Sequence, residues 1–291
     1  MALSERLNDL AYAAGWRVVR LLPERVASQV FDTVADVATR RDGKGVRRLR
    51  SNLARVVPAG TDLDALTRDA MRSYARYWME VFRLPDMPLE RRLTGFHLED
   101  ERVLRDAYAA GAGVILALPH MGNWEVAGAW LAGTGIPFTT VAERLLAGGC
   151  LCLLADRDLS ARGVPVRFFG GQARMAAGPA ALALRTGAVL LPTTLWFDGM
   201  NWRGRIHPRI APTDVATMTQ QMADAFAESI SLYPADWHML QRVWRDDEPP
   251  TSRGALETAA PDTAAPDGGA AADASGLAGT GPAERPPVPE P

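Results

Sequence analysis

The strongest constraint on this chain's fold is a five-residue apolar run, Val114-Ile-Leu-Ala-Leu118, closed by Gly113 in front and Pro119 behind. A run that short, bounded by turn residues, reads as a strand covered on both faces, as in a parallel sheet packed between helices. Further strands are predicted at 138–141, 150–155, 189–196 and 205–210. Helical spacing predicts helices at 62–83, 100–110, 124–132, 179–185 and 218–232. Strands alternating with helices give an α/β fold, a mixed and mostly parallel sheet flanked by helices. Residues 1–60 add an N-terminal helical region, most clearly over 4–56. There Leu7, Leu10, Ala11, Ala14, Val18, Leu21 and Leu22 recur at helical spacing beside Trp16, Arg17, Arg20 and Arg25. Such a stripe suits either core packing or docking on a membrane surface.

Charge divides the chain in two. Residues 246–291 hold nine acidic groups and two arginines in a background of Ala, Pro, Gly and Thr, so residues 1–245 stand near +5 against −2 for the whole. The tail cannot bury enough to offset the entropy of ordering and is expected to be disordered. The body, 1–245, is expected to be one domain. Its mild positive charge suits anionic lipid or phosphate ligands and is too weak, without a motif, to argue for nucleic acid. No secretory signal is evident, and no stretch of about 18 uncharged apolar residues could span a bilayer. Cys150 and Cys152 alternate along one predicted strand and read as packing residues. Lys44 is the only lysine in the chain.

The chemistry is expected in Leu118-Pro-His-Met-Gly-Asn-Trp-Glu-Val-Ala-Gly128. His120 follows the buried strand, where α/β sheets gather ligands. Asn123 is a good helix N-cap, and Glu125 falls in the first turn of the next helix, where the macrodipole favours a carboxylate. A histidine oriented by a carboxylate can take a proton from an alcohol, so His120 and Glu125 form the expected catalytic pair. The nucleophile is then the substrate's own oxygen, which fits the lack of a Gly-x-Ser-x-Gly elbow. The plain alternative is a capping Asn, a dipole-stabilised Glu and a hydrogen-bonded His. His97, His207 and His238 show no ligand-like spacing, and no metal is expected.

These residues sit among others that carry a resemblance: His120-Met-Gly-Asn-Trp-Glu125, Thr140-Val-Ala-Glu-Arg144, Leu154-Ala-Asp-Arg-Asp-Leu159, Phe168-Phe-Gly170, Gly178-Pro-Ala with Arg185-Thr-Gly-Ala188, and Trp237-His238. Over most of residues 1–245 the chain resembles the lipid A late acyltransferases and, more closely, the phosphatidylinositol mannoside acyltransferases. The resemblance implies a glycerolipid-acyltransferase-like fold. It also implies a peripheral enzyme on the cytoplasmic face of the plasma membrane. Such an enzyme moves an acyl chain from acyl-CoA, or an acyl carrier protein, to a hydroxyl of a phosphatidylinositol mannoside. Its partners are inner-leaflet lipids and the glycolipid acceptor, with acyl-CoA as co-substrate and no cofactor. It makes His120 the general base and Glu125 its partner, and it maps Glu143, Arg144 and Asp156 onto the active-site lining. Asp156 could bond the sugar, orient the surroundings of His120, or merely pair with Arg157 at the surface. Arg157 and Arg174 suit phosphate contact as planar guanidinium forks, or are solvated arginines. Phe169 and Gly170 form a turn against the acyl or pantetheine chain, or plain core. Leu191-Pro192 resembles a strand-end proline that shapes the floor of the site. A thioesterase or lysolipid hydrolase using the same pair, and an inactive membrane-associated paralogue, are the competing readings.

The chain departs from this family after Arg144. Leu145-Leu-Ala-Gly-Gly-Cys150 leads straight into the next strand, as though one strand–helix unit had been removed near 145–149. So short a link is expected to leave the 138–141 and 150–155 strands antiparallel, or not neighbours, or the site distorted.

Overall fold

The computed structural model describes residues 17, 19–139, 145, 147–158 and 163–244. Glu143, Arg144, the rest of Thr140–Arg144 and the tail from 246 onward lie outside the described residues.

Arg17 and residues 19–21 are helical, and three helices follow: α1 (Glu24–Arg41), α2 (Lys44–Val56) and α3 (Leu63–Arg83). The expected helical stretch up to residue 56 is thus divided. Asp42 turns left-handed at φ 46 to end α1, and Gly43 starts the next helix in an extended conformation. Asp62 caps α3 by accepting from the Asp64 and Ala65 amides at 3.0 Å. After α4 (Leu89–Gly95) and β1 (Phe96–Glu99) come α5 (Glu101–Ala109), β2 (Val114–Leu118), α6 (Trp124–Gly133), β3 (Phe138–Thr139) and β4 (Cys150–Leu154). A hairpin of β5 (Val164–Phe168) and β6 (Gly171–Met175) precedes α7 (Gly178–Thr186), β7 (Val189–Asp198), β8 (Asn201–Ile206) and α8 (Val215–Leu232).

Six strands form one sheet in the order β1-β8-β7-β2-β4-β3. All neighbours run parallel except β7 and β8. β2 lies near the centre, and its side chains divide between two cores as the period of two requires. Ile115 and Ala117 point into one cluster, while Val114, Leu116 and Leu118 point into the other. That division explains the unbroken apolar run. Cys150 belongs to the second cluster and Cys152 packs against it, both as free thiols. A hydrogen bond with the neighbouring Cys150, and then burial, push the Cys152 thiol well above its ordinary range, so it stays protonated.

Several expectations need correction. β3 and β4 are parallel neighbours, with Phe138 opposite Cys150 and Thr139 opposite Leu151. The short link therefore yields neither an antiparallel pair nor separated strands. β8 begins at Asn201 and ends at Ile206, earlier than 205–210; Ile210 instead makes a lone bridge to Leu190. Pro192 is inside β7, opposite Ala117, not at a strand end. It lies where β7 stops pairing with β2 and starts its antiparallel ladder with β8 at Thr193. A residue without an N–H is tolerated at such a change of partner.

Candidate active site

Register alone brings the key residues together. Leu118 ends β2 opposite Leu154, which ends β4, and the Ala155 amide extends the ladder to the Leu118 carbonyl at 2.8 Å. Two residues beyond each strand end stand His120 and Asp156. The His120 ring places Nδ1 2.6 Å from Asp156 Oδ1, and the His120 backbone N–H donates to Oδ2 at 2.9 Å. The Trp237 indole N–H, also at 2.9 Å, is a third donor, to Oδ2. Asp156 is fully buried, while 21% of the His120 side chain remains exposed.

Burial by itself would raise the Asp156 pKa. The His120 charge and the three donors outweigh it and hold the carboxyl below its ordinary value. An ionised Asp156 accepts from Nδ1–H, which leaves the lone pair on Nε2.

The turn bearing His120 is gripped from both sides. Segment 236–238 runs antiparallel to it: Gly122 N–H donates to Asp236 O at 2.9 Å and His238 N–H to His120 O at 2.8 Å. Gly122 has φ 61, and a Cβ there would meet the Leu195 backbone at 2.7 Å. Only glycine fits both conditions. Asn123 caps α6 through its carbonyl oxygen, accepting from Val126 N at 3.1 Å, and donates to buried Glu80 at 2.7 Å. Trp202 and Arg76 donate to the same carboxylate.

Glu125 sits in the first turn of α6, half-buried, as its spacing predicts. The carboxylate on His120 Nδ1, however, is Asp156. Burial raises the Glu125 pKa, offset in part by a hydrogen bond from Trp124. Trp124 stands edge-on to the His120 ring at 5.7 Å and packs on Tyr77 at 4.3 Å. Of the readings open for Asp156, the buried contact with His120 is the one the structure shows, not a surface pair with Arg157; Arg157 is half-buried. Arg174 lies on β6, opposite Pro165. Phe169 and Gly170 form the β5–β6 turn, both at positive φ, and the Phe169 ring packs on Phe168 at 4.7 Å. The end of that hairpin reaches the site, because Ala176 N–H donates to Ala155 O at 3.4 Å.

Trp237 and His238 appear in the sequence motif without a role, and the structure supplies one for each. His238 is buried among Tyr74, Tyr77 and Phe197, with Nε2 2.8 Å from Ser73 Oγ. Ser73 in turn donates to Asp236 at 2.6 Å. Burial, reinforced by nearby His120, lowers the His238 pKa to about 3, so this imidazole stays neutral. Among the described residues, no three His, Cys, Asp or Glu side chains converge as a metal site would require.

A family model for bacterial lipid A biosynthesis acyltransferases matches residues 3–148 and 141–246. This chain belongs to that family. It is an acyltransferase. It is 43% identical to a phosphatidylinositol mannoside acyltransferase of Mycolicibacterium smegmatis over 298 positions, covering 88% of this chain and 97% of that protein. A protein of the same description from Mycobacterium tuberculosis is 42% identical over 307 positions, covering 88% and 95%. The family model matches in two stretches that meet at 141–148, the place where the chain is expected to be short by one unit. The 298 aligned positions outnumber this chain's 291 residues, though they take in only 88% of it. Residues of the relative therefore lie opposite gaps here. No helix among the described residues is long and apolar enough to cross a membrane.

Proposed function

We propose that this acyltransferase moves a fatty acyl chain from a thioester, acyl-CoA or an acyl carrier protein, to a hydroxyl of a phosphatidylinositol mannoside. It would do so without a metal or other cofactor. The acceptor follows the activity for which relatives aligned over nearly their whole length are named. The mechanism rests on one observation: the 2.6 Å contact between His120 Nδ1 and a buried, ionised Asp156. Nε2 takes the proton of the acceptor hydroxyl as its oxygen attacks the thioester carbonyl. A C–O bond forms, the C–S bond breaks, and the imidazolium returns its proton to the departing thiolate. Asp156 stabilises the imidazolium between those two transfers. Glu125, whose pKa burial raises, is the acidic group nearest in sequence; its proposed role is bonding the acceptor's hydroxyls. By the same resemblance Glu143 and Arg144 are proposed substrate contacts, with Arg157 and Arg174 toward phosphate and the Phe169–Gly170 turn toward the chain.

Membrane association belongs to the same reading, at the cytoplasmic face of the plasma membrane. On α1 an outward stripe of Val26, Val30 and Val34 is exposed, with Leu21 80% exposed just before it. Spacing of four puts the three valines on one helix face, and Arg25 adjoins them.

The test is thioester consumption with a phosphatidylinositol dimannoside acceptor, and with water alone. Acceptor-dependent release of thiol, absent in His120→Ala, is the expected result. Equal release with and without acceptor would make the protein a hydrolase, and no release with any thioester would make it an inactive relative.

A further inference from the structure

Ser73 lies in the middle of α3, where a hydroxyl commonly turns back to the carbonyl one turn earlier. Thr67 on the same helix does so, donating to Leu63 O at 2.6 Å. Ser73 instead bonds outside its helix. It donates to Asp236 Oδ1 at 2.6 Å and lies 2.8 Å from His238 Nε2. One hydroxyl thus bonds both ends of segment 236–238, the strap that grips the His120 turn. Among the described residues no other side chain hydrogen-bonds Asp236 or His238; the second Asp236 oxygen accepts from the Phe197 amide at 2.9 Å.

These bonds order the protons. A serine hydroxyl has a single proton to give. Ser73 gives it to Asp236, so toward His238 it can only accept, and the imidazole hydrogen is on Nε2. Nδ1 then carries a bare lone pair, and this buried atom has no hydrogen-bond partner. The opposite tautomer would bury an N–H where nothing accepts it. The Tyr74 and Tyr77 rings pack on the imidazole, with centroids 5.5 and 6.0 Å away.

The strap's side chains divide between two neighbours. Asp236 and His238 turn to Ser73 on α3, and Trp237 between them turns its indole to Asp156. Trp237 is extended, with φ −90 and ψ 102, and makes an antiparallel bridge to Met121. In such a segment a shift of one residue exchanges the two faces. It would take the indole off Asp156 and the His238 amide off the His120 carbonyl. Backbone bonds are indifferent to which residue makes them. The Ser73 hydroxyl is not, because it needs an acceptor at one position and a donor two positions on.

We propose that Ser73 is a positioning residue for the general base: it fixes the register of the strap, and so keeps Trp237 on Asp156 and the His120 carbonyl held. The proposal rests on the His120–Asp156 mechanism above, but its main readout needs no turnover. The chain has four histidines, few enough to resolve every ring. Long-range ¹H–¹⁵N spectra of the full chain, labelled with ring-¹⁵N histidine and assigned by single histidine replacements, read each tautomer. His238 should carry its hydrogen on Nε2 and His120 on Nδ1. In Ser73→Ala the His120 Nδ1–H signal should shift and broaden. There kcat for acyl transfer should fall by about tenfold, while KM for thioester and acceptor stays within about twofold. Ser73→Thr keeps the hydroxyl and should restore most of both the signal and the rate. A His238 hydrogen found on Nδ1 in the wild-type chain overturns the proposal, even if Ser73→Ala does not fold. So does an unmoved His120 signal in folded Ser73→Ala, or a loss that Ser73→Thr does not recover. Absence of acyl transfer by the wild-type chain would instead overturn the reaction assigned above, and the hold of Ser73 on His120 would still be read in the spectra.

Discussion

Two histidines in this molecule each have Nδ1 turned toward a carboxylate, and only one meets the conditions a general base requires. His207 has Nε2 at 3.0 Å from Thr194 Oγ1 and 3.2 Å from Ser229 Oγ, while Nδ1 is 3.7 Å from Glu228. On paper that is closer to a hydrolytic triad than anything around His120. Yet Ser229 and Thr194 are fully buried and His207 is nearly so. Burial lowers the His207 pKa, so the ring resists the proton a general base must accept. His120 reverses both conditions. Its carboxylate is buried and tightly held, and its ring reaches solvent. Carboxylate distance matters as well: 2.6 Å with shared donors fixes a tautomer, whereas 3.7 Å does not meet the criterion for a hydrogen bond.

The sharpest way to break this contrast is to delete the working ring. His120→Ala should lower acyl transfer by about 10²–10⁴-fold with little change in the melting profile. Asp156→Asn should cost about 10²-fold, chiefly in kcat, since the imidazolium loses its counter-charge while Trp237 and the His120 amide keep neutral partners. Glu125→Gln should cost only about tenfold, seen mainly in KM for the acceptor. A loss matching that of His120→Ala would move the proton-transfer role toward Glu125. At the other histidine, His207→Leu should leave kcat within about threefold and destabilise the fold by about 1–3 kcal/mol, measured by urea unfolding, because buried hydroxyls lose a partner.

The smallest effect is in pH. Both His207 and His238 have folded pKa values below the ordinary 6.5, that of His238 at about 3. Below pH 6.5 the unfolded chain binds protons that the folded chain refuses. The stability His238 contributes is therefore complete above 6.5 and declines toward pH 3, by at most about 1.4 kcal/mol per pH unit, and that of His207 likewise declines as pH falls below 6.5. His207→Leu should flatten that slope, and an unchanged slope would contradict the buried, neutral assignment.

How much of this was legible in the sequence depends on how local each feature is. The β2 run, the Asn123 cap and the 124–132 helix are set by neighbours within a few residues, and the structure has them. The turn at Phe169-Gly170 was legible from its glycines, but the hairpin around it was not, because Val164–Phe168 and Gly171–Met175 mix exposed Arg and Gln with apolar residues. Edge strand β1, only four residues long, was hidden for the same reason. The partner on Nδ1 is the instructive case. Glu125 is close to His120 along the chain and helical, so His-x4-Glu draws the eye. The actual partner is set by strand register, 36 residues on, and appears only once β2 and β4 are known to be parallel neighbours. Counting two residues past Leu118 and past Leu154 then gives the pair directly. Trp237 lies 81 residues beyond Asp156, and no local pattern announces its indole as a donor.

That last contact has a consequence for the protein's birth. His120 leaves the ribosome more than a hundred residues before Trp237 and His238, which complete its carboxylate's shell and tie down its turn. Until synthesis has passed that point, Asp156 has lost one of its three donors and the His120 carbonyl has no strap. A half-made chain thus carries His120 and Asp156 but lacks the clamp that segment 236–238 provides.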